Sequence, residues 1–482
     1  MSETTRPVSS HTATSGRTTT AWALLPLALA QFICSFAGSN MNVMLTDMSA
    51  DLDTTVQGVQ IAITLFLLVM AALMIPFGKL TIQFGRKLCF ILGLSIYGLG
   101  AIISAFSPGL GVLILGNSIL EGAGTALLIP PVYILVTMYW TGLAERARAF
   151  GIVSAAGGIG AATGPLIGGW ITAVFSWRAA FGFQTLIIVI ILILAIRLKD
   201  PRPAEPGRPY DVAGAVLSGL GLIVFVLGIL AADNNLLLCV GLMLGGAGII
   251  AVFFWWVRRL ERKGREPLLS TAMFRSRISN LALITQNFQW MLLMGTSMLV
   301  ASHLQVVRQY DAIETGIIFS AATFGILVSS LAAGSLVRRF AQRSLIIVGF
   351  VITGVGLVLL LLVGAVPGAW PFAPGLLAIG LGLGLMLTPS VNTVQSAFPE
   401  EQQGEISGLS RSISNLGSSF GTAIVGTVLA LNLTGPSDGY ALAMVPLIVV
   451  AIAGIVVAGF LPGRVSRSAD AGGRTGNPAT QA

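Results

Sequence analysis

The chain has 482 residues, of which 55% are hydrophobic and only 10% charged, and its mean hydropathy is +0.88. A soluble chain of this length carries roughly 25% charged residues to cover its surface, so the composition excludes a soluble globular protein. Long apolar runs separated by short polar breaks predict transmembrane helices of about 20 residues each. The sequence therefore predicts an all-α, multi-pass membrane protein.

The apolar runs predict 14 transmembrane helices, which we number in chain order as spans 1 to 14. They cover about 22–46, 58–78, 88–106, 110–138, 149–174, 179–197, 212–231, 235–257, 279–306, 313–336, 344–366, 373–397, 407–432 and 440–462. Polar tails at 1–20 and 464–482 flank them and are expected to be disordered. An even number of spans places both tails on the same side of the membrane.

The distribution of Lys and Arg predicts which side that is. If the tails are cytoplasmic, 25 of the 27 cationic residues lie in cytoplasmic segments, and only Arg178 and Arg308 lie outside. This asymmetry follows the positive-inside rule and predicts a plasma-membrane protein with both termini in the cytoplasm. The net charge of +8 is spread over many loops. We therefore expect contacts with anionic membrane lipids and none with nucleic acid.

The chain also contains an internal repeat. "ILGLSIYGLG" (91–100) matches "IVGFVITGVG" (347–356), and glycines of spans 4 and 5 recur in spans 12 and 13 at nearly the same offset. The repeat predicts a six-helix bundle at 21–198 and a second at 278–463. A linker at 199–277 then carries two inserted spans. Repeats of this kind are common in secondary transporters, whose substrate site lies between the halves.

The chain contains two glycine-rich motifs, one where two helices meet and one within a helix. "GKLTIQFGRK" (78–87) joins spans 2 and 3, where Gly78 and Gly85 permit a tight turn and Arg86 holds the cytoplasmic side. "GIGAATGPLIGG" (158–169) lies in span 5, where small residues allow close helix packing and a proline bends the helix. The residues concerned are Gly160, Gly164, Pro165, Gly168 and Gly169.

With these motifs and the repeat, the chain resembles the major facilitator superfamily, and within it the 14-helix drug:proton antiporter branch. The loop motif matches the signature between helices 2 and 3, although Ile82 stands where the family usually has an acidic residue. The span 5 motif is similar to the antiporter signature of helix 5. The resemblance implies two six-helix bundles with two helices inserted between them, and it implies export by alternating access.

Glu121 is the single acidic residue deep within a predicted span. It lies about 16 Å along span 4, near the midplane, where an acid costs about 2.5–3.5 kcal/mol. Helix 4 of the family usually carries an Arg and then a Gln four residues later; here these positions are Asn117 and Glu121. We interpret Glu121 as a proton-coupling site. The alternative is a structural acid that fastens span 4 to a neighbour.

Other polar residues are weaker candidates. Asp47, at the outer end of span 1, is a second proton-coupling candidate or a hydrated carboxylate at the rim. Arg411 is expected to join a cytoplasmic ion-pair cluster with Glu400, Glu401 and Glu405. The predicted substrate-cavity residues, each of which could instead bond two helices together, are Asn40, Asn42, Asn117, Gln286, Gln289, Trp290 and Asn392.

These features predict a transporter and argue against an enzyme. The chain has two His and one deep acid, which is too few for a catalytic or metal site, and no phosphate-binding loop. We expect a monomer without cofactor or metal that exports amphipathic, cationic or neutral small molecules in exchange for protons. The alternatives are a uniporter or importer of the same fold, or a transport-inactive membrane sensor.

Overall fold

The computed structural model describes residues 13–140, 143–200, 210–231, 236–364, 366–395, 397–398, 403–430 and 436–462. Within these ranges the regular structure is entirely helical. The spans are Ala13–Asn40, Val56–Phe84, Arg86–Ala105, Leu110–Tyr139, Leu143–Val174, Trp177–Ala195, Val212–Leu230, Leu236–Arg262, Arg277–Ser302, Ala312–Arg339, Gln342–Val363, Phe372–Gln395, Gln403–Ala430 and Pro436–Gly459.

The count of 14 spans is confirmed within the described residues. Thirteen helices are long and apolar enough to cross a membrane without interruption. Span 5 is the fourteenth, with its segments Arg148–Ala161 and Thr163–Val174 bent by 42°. The bend lies beside Pro165, which cannot donate the hydrogen bond of a regular helix.

The ends of span 1 differ from the prediction. The helix begins at Ala13, so the predicted tail boundary at residue 20 falls inside a helix, which no proline interrupts before Pro26. At its other end it stops at Asn40, and a short helix at Leu45–Asp51 follows. Most of the remaining predicted tails, 1–12 and 463–482, lies outside the described residues.

The repeat produces equivalent helix contacts in the two halves. Gly93 of span 3 packs on the backbone of Gly124 in span 4, and Gly349 of span 11 packs likewise on Gly382 in span 12. Close backbone approach of this kind requires small residues. The matching contacts show that two copies of one bundle design make up the molecule, whereas the domain boundaries stay a prediction.

Two helix pairs join the halves. Span 5 packs on span 1 within its own half and on span 10 across the boundary, while span 13 packs on span 9 and across on span 2. Spans 7 and 8 pack against each other, and span 7 also touches spans 2 and 13. The inserted pair therefore lies beside the boundary. We call the end where spans 1 and 9 begin the tail side, and the end where they finish the far side.

The glycines of spans 5 and 13 allow a matched test of this packing. A methyl group added at Gly160 collides with the backbone carbonyl of Phe32, whereas one added at Gly151 of the same helix meets nothing. We expect Gly160→Ala to lower stability by about 1–3 kcal/mol, the usual cost of overpacking, and Gly151→Ala to leave it unchanged or slightly raised. Thermal unfolding of the purified protein measures both.

The second half contains an equivalent pair of glycines, so the same test can be repeated there. Gly417 packs on the carbonyl of Asn287 in the second half, and Gly408 has open space. Equal melting temperatures for Gly417→Ala and Gly408→Ala would contradict the equivalence of the two helix contacts.

Candidate functional site

Hydrogen bonds between the halves close the far side of the molecule. The Gln60 side chain donates to the Ser302 hydroxyl over 2.9 Å, and the Gln305 side chain donates to the backbone carbonyl of Asn42 over 2.8 Å. Asn42 also donates to the Ser297 hydroxyl over 3.4 Å. All of these groups are uncharged. The far-side contact is thus a neutral one, made by amides and hydroxyls.

The span 5 motif serves two interfaces at once. Gly160, Gly164 and Gly168 face span 1, where added methyl groups collide with the Phe32–Asn40 segment. Gly169 faces the other way, onto the carbonyl of Ala312 in span 10. The motif therefore holds span 5 against its own half and against the opposite half. Close helix packing is therefore enough to explain these glycines, and the motif does not indicate a direction of transport.

A small cavity lies between the halves toward the tail side. Its volume is about 40 Å³, room for one or a few water molecules, so the walls lie close together in this conformation. We call it the central cleft. The described residues that line it are Gln31, Tyr133, Ser154, Gly157, Gly158, Gln286, Trp290, Leu387, Val391, Gln395, Ser410, Arg411 and Ser414.

Arg411 is the charged residue of this lining. Its guanidinium carbon lies 4.8 Å from the centre of the Trp290 ring, and its Nη2 donates over 3.4 Å to the Ser35 hydroxyl of the opposite half. The expected ion-pair cluster stays a prediction, because Glu400 and Glu401 lie outside the described residues, as does the side chain of Glu405. Span 13 begins at Gln403, earlier than predicted, so Arg411 stands two turns inside the helix and not at its start. The sequence did not indicate that its side chain lines the cleft.

Glu121 lies inside the first half and does not line the cleft. It ends a π-helical segment, Ile114–Glu121, and its backbone and Cγ pack on Gly100 of span 3. The side chain is fully buried, and neither carboxyl oxygen has a hydrogen-bond partner of good geometry among the described residues. The Ser104 hydroxyl interacts with the carboxyl group. π-Helical segments are rare and often mark functional sites.

Span 1 lies between the two internal charges. Cys34 is close enough to interact with both Glu121 and Arg411, and its thiol faces the Thr125 hydroxyl, one helical turn from Glu121. Gln31, a turn from Cys34, donates to Ser35 over 3.2 Å. Span 1 thus lies next to both the acid and the cleft.

The other predicted cavity residues are distributed over several contacts. Gln286 and Trp290 line the cleft. Gln289 donates to Ser390 over 2.5 Å within the second half, and Asn392 is half-buried without being among the described lining. Asn42 belongs to the far-side contact.

Two predicted asparagines are buried within the first half. Asn40 packs on Gly168, and Asn117 lies in the π-helical segment. The Nδ2 atoms of both lack a hydrogen-bond partner among the described residues. Their polar groups therefore belong to helix packing around span 1 and span 4, away from the central cleft.

Asp47 lies on the short far-side helix, and its side chain is exposed. Partial desolvation and, to a lesser degree, the negative charge of Asp311 raise the pKa of Asp47 above the ordinary value of an aspartate. Asp47 thus binds a proton more readily than a free aspartate does. It is remote in sequence and in position from the deep acid.

The loop between spans 2 and 3 contacts an acidic residue, Asp200, from a remote part of the chain. Gly85 has a φ of 99°, which favours glycine, and Gly78 packs on Pro130. The backbone amides of Arg86 and Lys87 donate to Asp200 over 2.6 and 3.3 Å. Asp200 therefore caps the start of span 3, where backbone amides lack partners and negative charge is favoured. Its separation of 114 residues from Arg86 hides this contact from the sequence.

Comparisons with known proteins agree with this architecture. The profile of the Major Facilitator Superfamily matches residues 27–422 and 281–480. The puromycin resistance protein pur8 of Streptomyces alboniger is 28% identical over 84% of this chain and 81% of its own length. The multidrug resistance protein Stp of Mycobacterium tuberculosis is 27% identical over 88% and 78%. A crystal structure of the peptide transporter POT has a similar fold, with a TM-score of 0.66, 16% identity and coverage of 91% and 94%.

The far-side contact offers a direct test of closure. Gln305→Ala removes the bond to the Asn42 carbonyl and two longer bonds of 3.4 Å that its oxygen accepts from Thr46. The Asn42 bond alone is worth about 0.5–1.5 kcal/mol, so the population of far-side-open molecules should rise at least about two- to tenfold. A cysteine at Thr64, which touches Thr422 across the boundary, would then react faster with a maleimide. The three native cysteines are buried and add little background.

Gln309→Ala is the matched control, because Gln309 bonds only within its own turn, to the Val306 carbonyl. If Gln305→Ala and Gln309→Ala gave the same labelling rate, the Gln305 bond would not hold the far side closed.

Proposed function

Because the chain belongs to the major facilitator superfamily, whose members are membrane transporters and not enzymes, we propose that it exports amphipathic small molecules in exchange for protons. The observation that carries the proposal is the fully buried Glu121 inside the first half, whose carboxyl oxygens have no hydrogen-bond partner of good geometry among the described residues. The similarity to a puromycin resistance protein and a multidrug resistance protein supports export of drug-like compounds.

In this proposal the tail side faces the cytoplasm and the protein resides in the plasma membrane. The positive-inside distribution of Lys and Arg supports that orientation. The described conformation is then closed toward the outside and has its cleft in the cytoplasmic half. When the far-side hydrogen bonds open and the walls close around the cleft, access to the substrate site would switch from the cytoplasmic face to the outer face.

Glu121 is suited to carry the coupling proton. An ionised carboxylate without a partner is costly in a dry interior, so this closed environment suits the protonated acid. Gly100, which packs on Glu121, leaves no room for a water layer on that side. Release of the proton therefore requires that spans 3 and 4 move relative to each other. Such a movement links protonation to the conformation of the half.

Asp47 is the second candidate for proton coupling. Its raised pKa and its exposure on the far side suit a carboxyl that takes up protons from outside and passes them inward. Its distance from the cleft lining makes it a relay at most, so its loss is expected to weaken coupling less than loss of Glu121 does.

The test is transport in proteoliposomes with an imposed pH gradient. A panel of rhodamine 6G, puromycin and 2-naphthoate covers a cation, a drug named in a relative and an anion. We expect at least one compound to move against its gradient when protons flow the other way. Glu121→Gln keeps size and hydrogen bonding but removes the titrating group, so gradient-driven transport should fall to the level of empty liposomes.

Asp47→Asn is the matched control, and a partial loss is expected from it. Substrate exchange without a pH gradient should survive in Glu121→Gln, because the cleft is unchanged. If gradient-driven transport by Glu121→Gln equals that of the unmodified protein, the acid is structural. If no compound responds to the gradient in the unmodified protein, a uniporter or a non-transporting sensor is the better description.

A further inference from the structure

The described lining of the central cleft contains one formal charge, and it is positive. Among those residues Arg411 is the sole charged side chain, and no carboxylate stands with it. The deep acid of the first half, Glu121, is absent from the lining. Among the described residues, a ligand that enters the cleft therefore meets a guanidinium group and no carboxylate.

Two of the three side-chain amides that line the cleft already accept hydrogen bonds through their oxygens. The Gln31 side-chain oxygen accepts a bond of 3.4 Å from the Tyr133 hydroxyl, and the Gln286 oxygen accepts one of 2.7 Å from the Ser410 hydroxyl. Donors remain available instead. Arg411 has five N–H groups, of which one makes a long bond to Ser35, and its buried Nε has no partner among the described residues.

The aromatic wall adds a second preference. Trp290 carries the Arg411 guanidinium on one face, which keeps that group planar against the wall of the cleft. Tyr133 faces the cleft from the opposite half. Flat apolar surface beside a planar donor group suits a flat aromatic ligand with an acceptor at its edge.

We propose that the central cleft selects flat aromatic molecules that carry an anionic or strongly hydrogen-bond-accepting group, with Arg411 as the binding residue and Trp290 and Tyr133 as the apolar walls. The inference rests on the proposed export function for its biological meaning, but the binding preference stands by itself. It reverses the expectation of a cationic substrate, because a cation would lie against the guanidinium with no acid among the described lining residues to neutralise either charge.

The experiment compares three ligands of one shape: 2-naphthoate, 2-naphthalenemethanol and 2-naphthalenemethylamine, which is protonated at neutral pH. Isothermal titration of the purified protein measures each affinity. We expect naphthoate to bind about tenfold or more tighter than the ammonium compound, as a charge-assisted bond to Arg warrants. Arg411→Gln should abolish the difference in affinity between naphthoate and the ammonium compound. It should change the affinity for the alcohol by no more than about twofold. Arg411→Lys should restore part of it, because Lys keeps the charge but loses the planar fork.

Arg339→Gln is the matched control, since Arg339 is an exposed cation on the same side that does not line the cleft. Tighter binding of the ammonium compound to the unmodified protein, or an unchanged preference in Arg411→Gln, would overturn the proposal. If Arg411→Gln does not fold, the ligand series on the unmodified protein still decides. Transport of rhodamine 6G but not naphthoate would refute the substrate class and leave proton-coupled export intact. Naphthoate binding without any gradient-driven transport would support the binding preference and refute proton-coupled export.

Discussion

Backbone amides and carbonyls find no water inside a lipid bilayer, so each must bond within its own helix. Once every segment is a helix, the hydrophobic effect no longer drives the helices together, and close contact depends on small residues and on hydrogen bonds between helices. Glycines such as Gly93 and Gly160 bring backbones into contact at equivalent places in the two halves. The position of every functional side chain follows from these contacts, because they fix the rotation of each helix about its axis.

The interior contains a buried acid in the first half and a half-buried cation in the second. Glu121 belongs to span 4 and Arg411 to span 13, and Cys34 of span 1 lies within electrostatic range of both. Charged groups in such places are costly and persist where they are used. The environment of Glu121 suits a protonated acid, whereas Arg411 presents its charge to the central cleft.

The sequence predicted the parts of the fold that depend on apolar runs and on small residues. The 14 spans, the repeat and the depth of Glu121 follow from composition and spacing. Helix rotation does not, so the sequence could not separate Gln286 and Trp290, which line the cleft, from Asn117, which lies in the π-helical segment.

Contacts between remote segments were likewise out of reach. Asp200 caps span 3 from 114 residues away, and nothing in the local sequence of either segment indicates the pairing. Arg411 was predicted near the start of span 13, beside acidic residues that suggested a cytoplasmic ion pair. The signal that could have placed it in the helix interface is the run of small hydroxyl residues around it, Ser410, Ser412 and Ser414, since such residues mark buried helix contacts in membranes.

The neutral chemistry of the far-side contact sets how the protein responds to its surroundings. Amides and hydroxyls such as those of Gln60, Ser302 and Gln305 keep the same charge at any external acidity, and counter-ions in the medium do not screen them. These bonds therefore keep their strength across the salinity and acidity that a cell meets. The part of the far side that does respond is the like-charged pair of Asp47 and Asp311, one from each half, because acid protonates Asp47 and salt screens the repulsion.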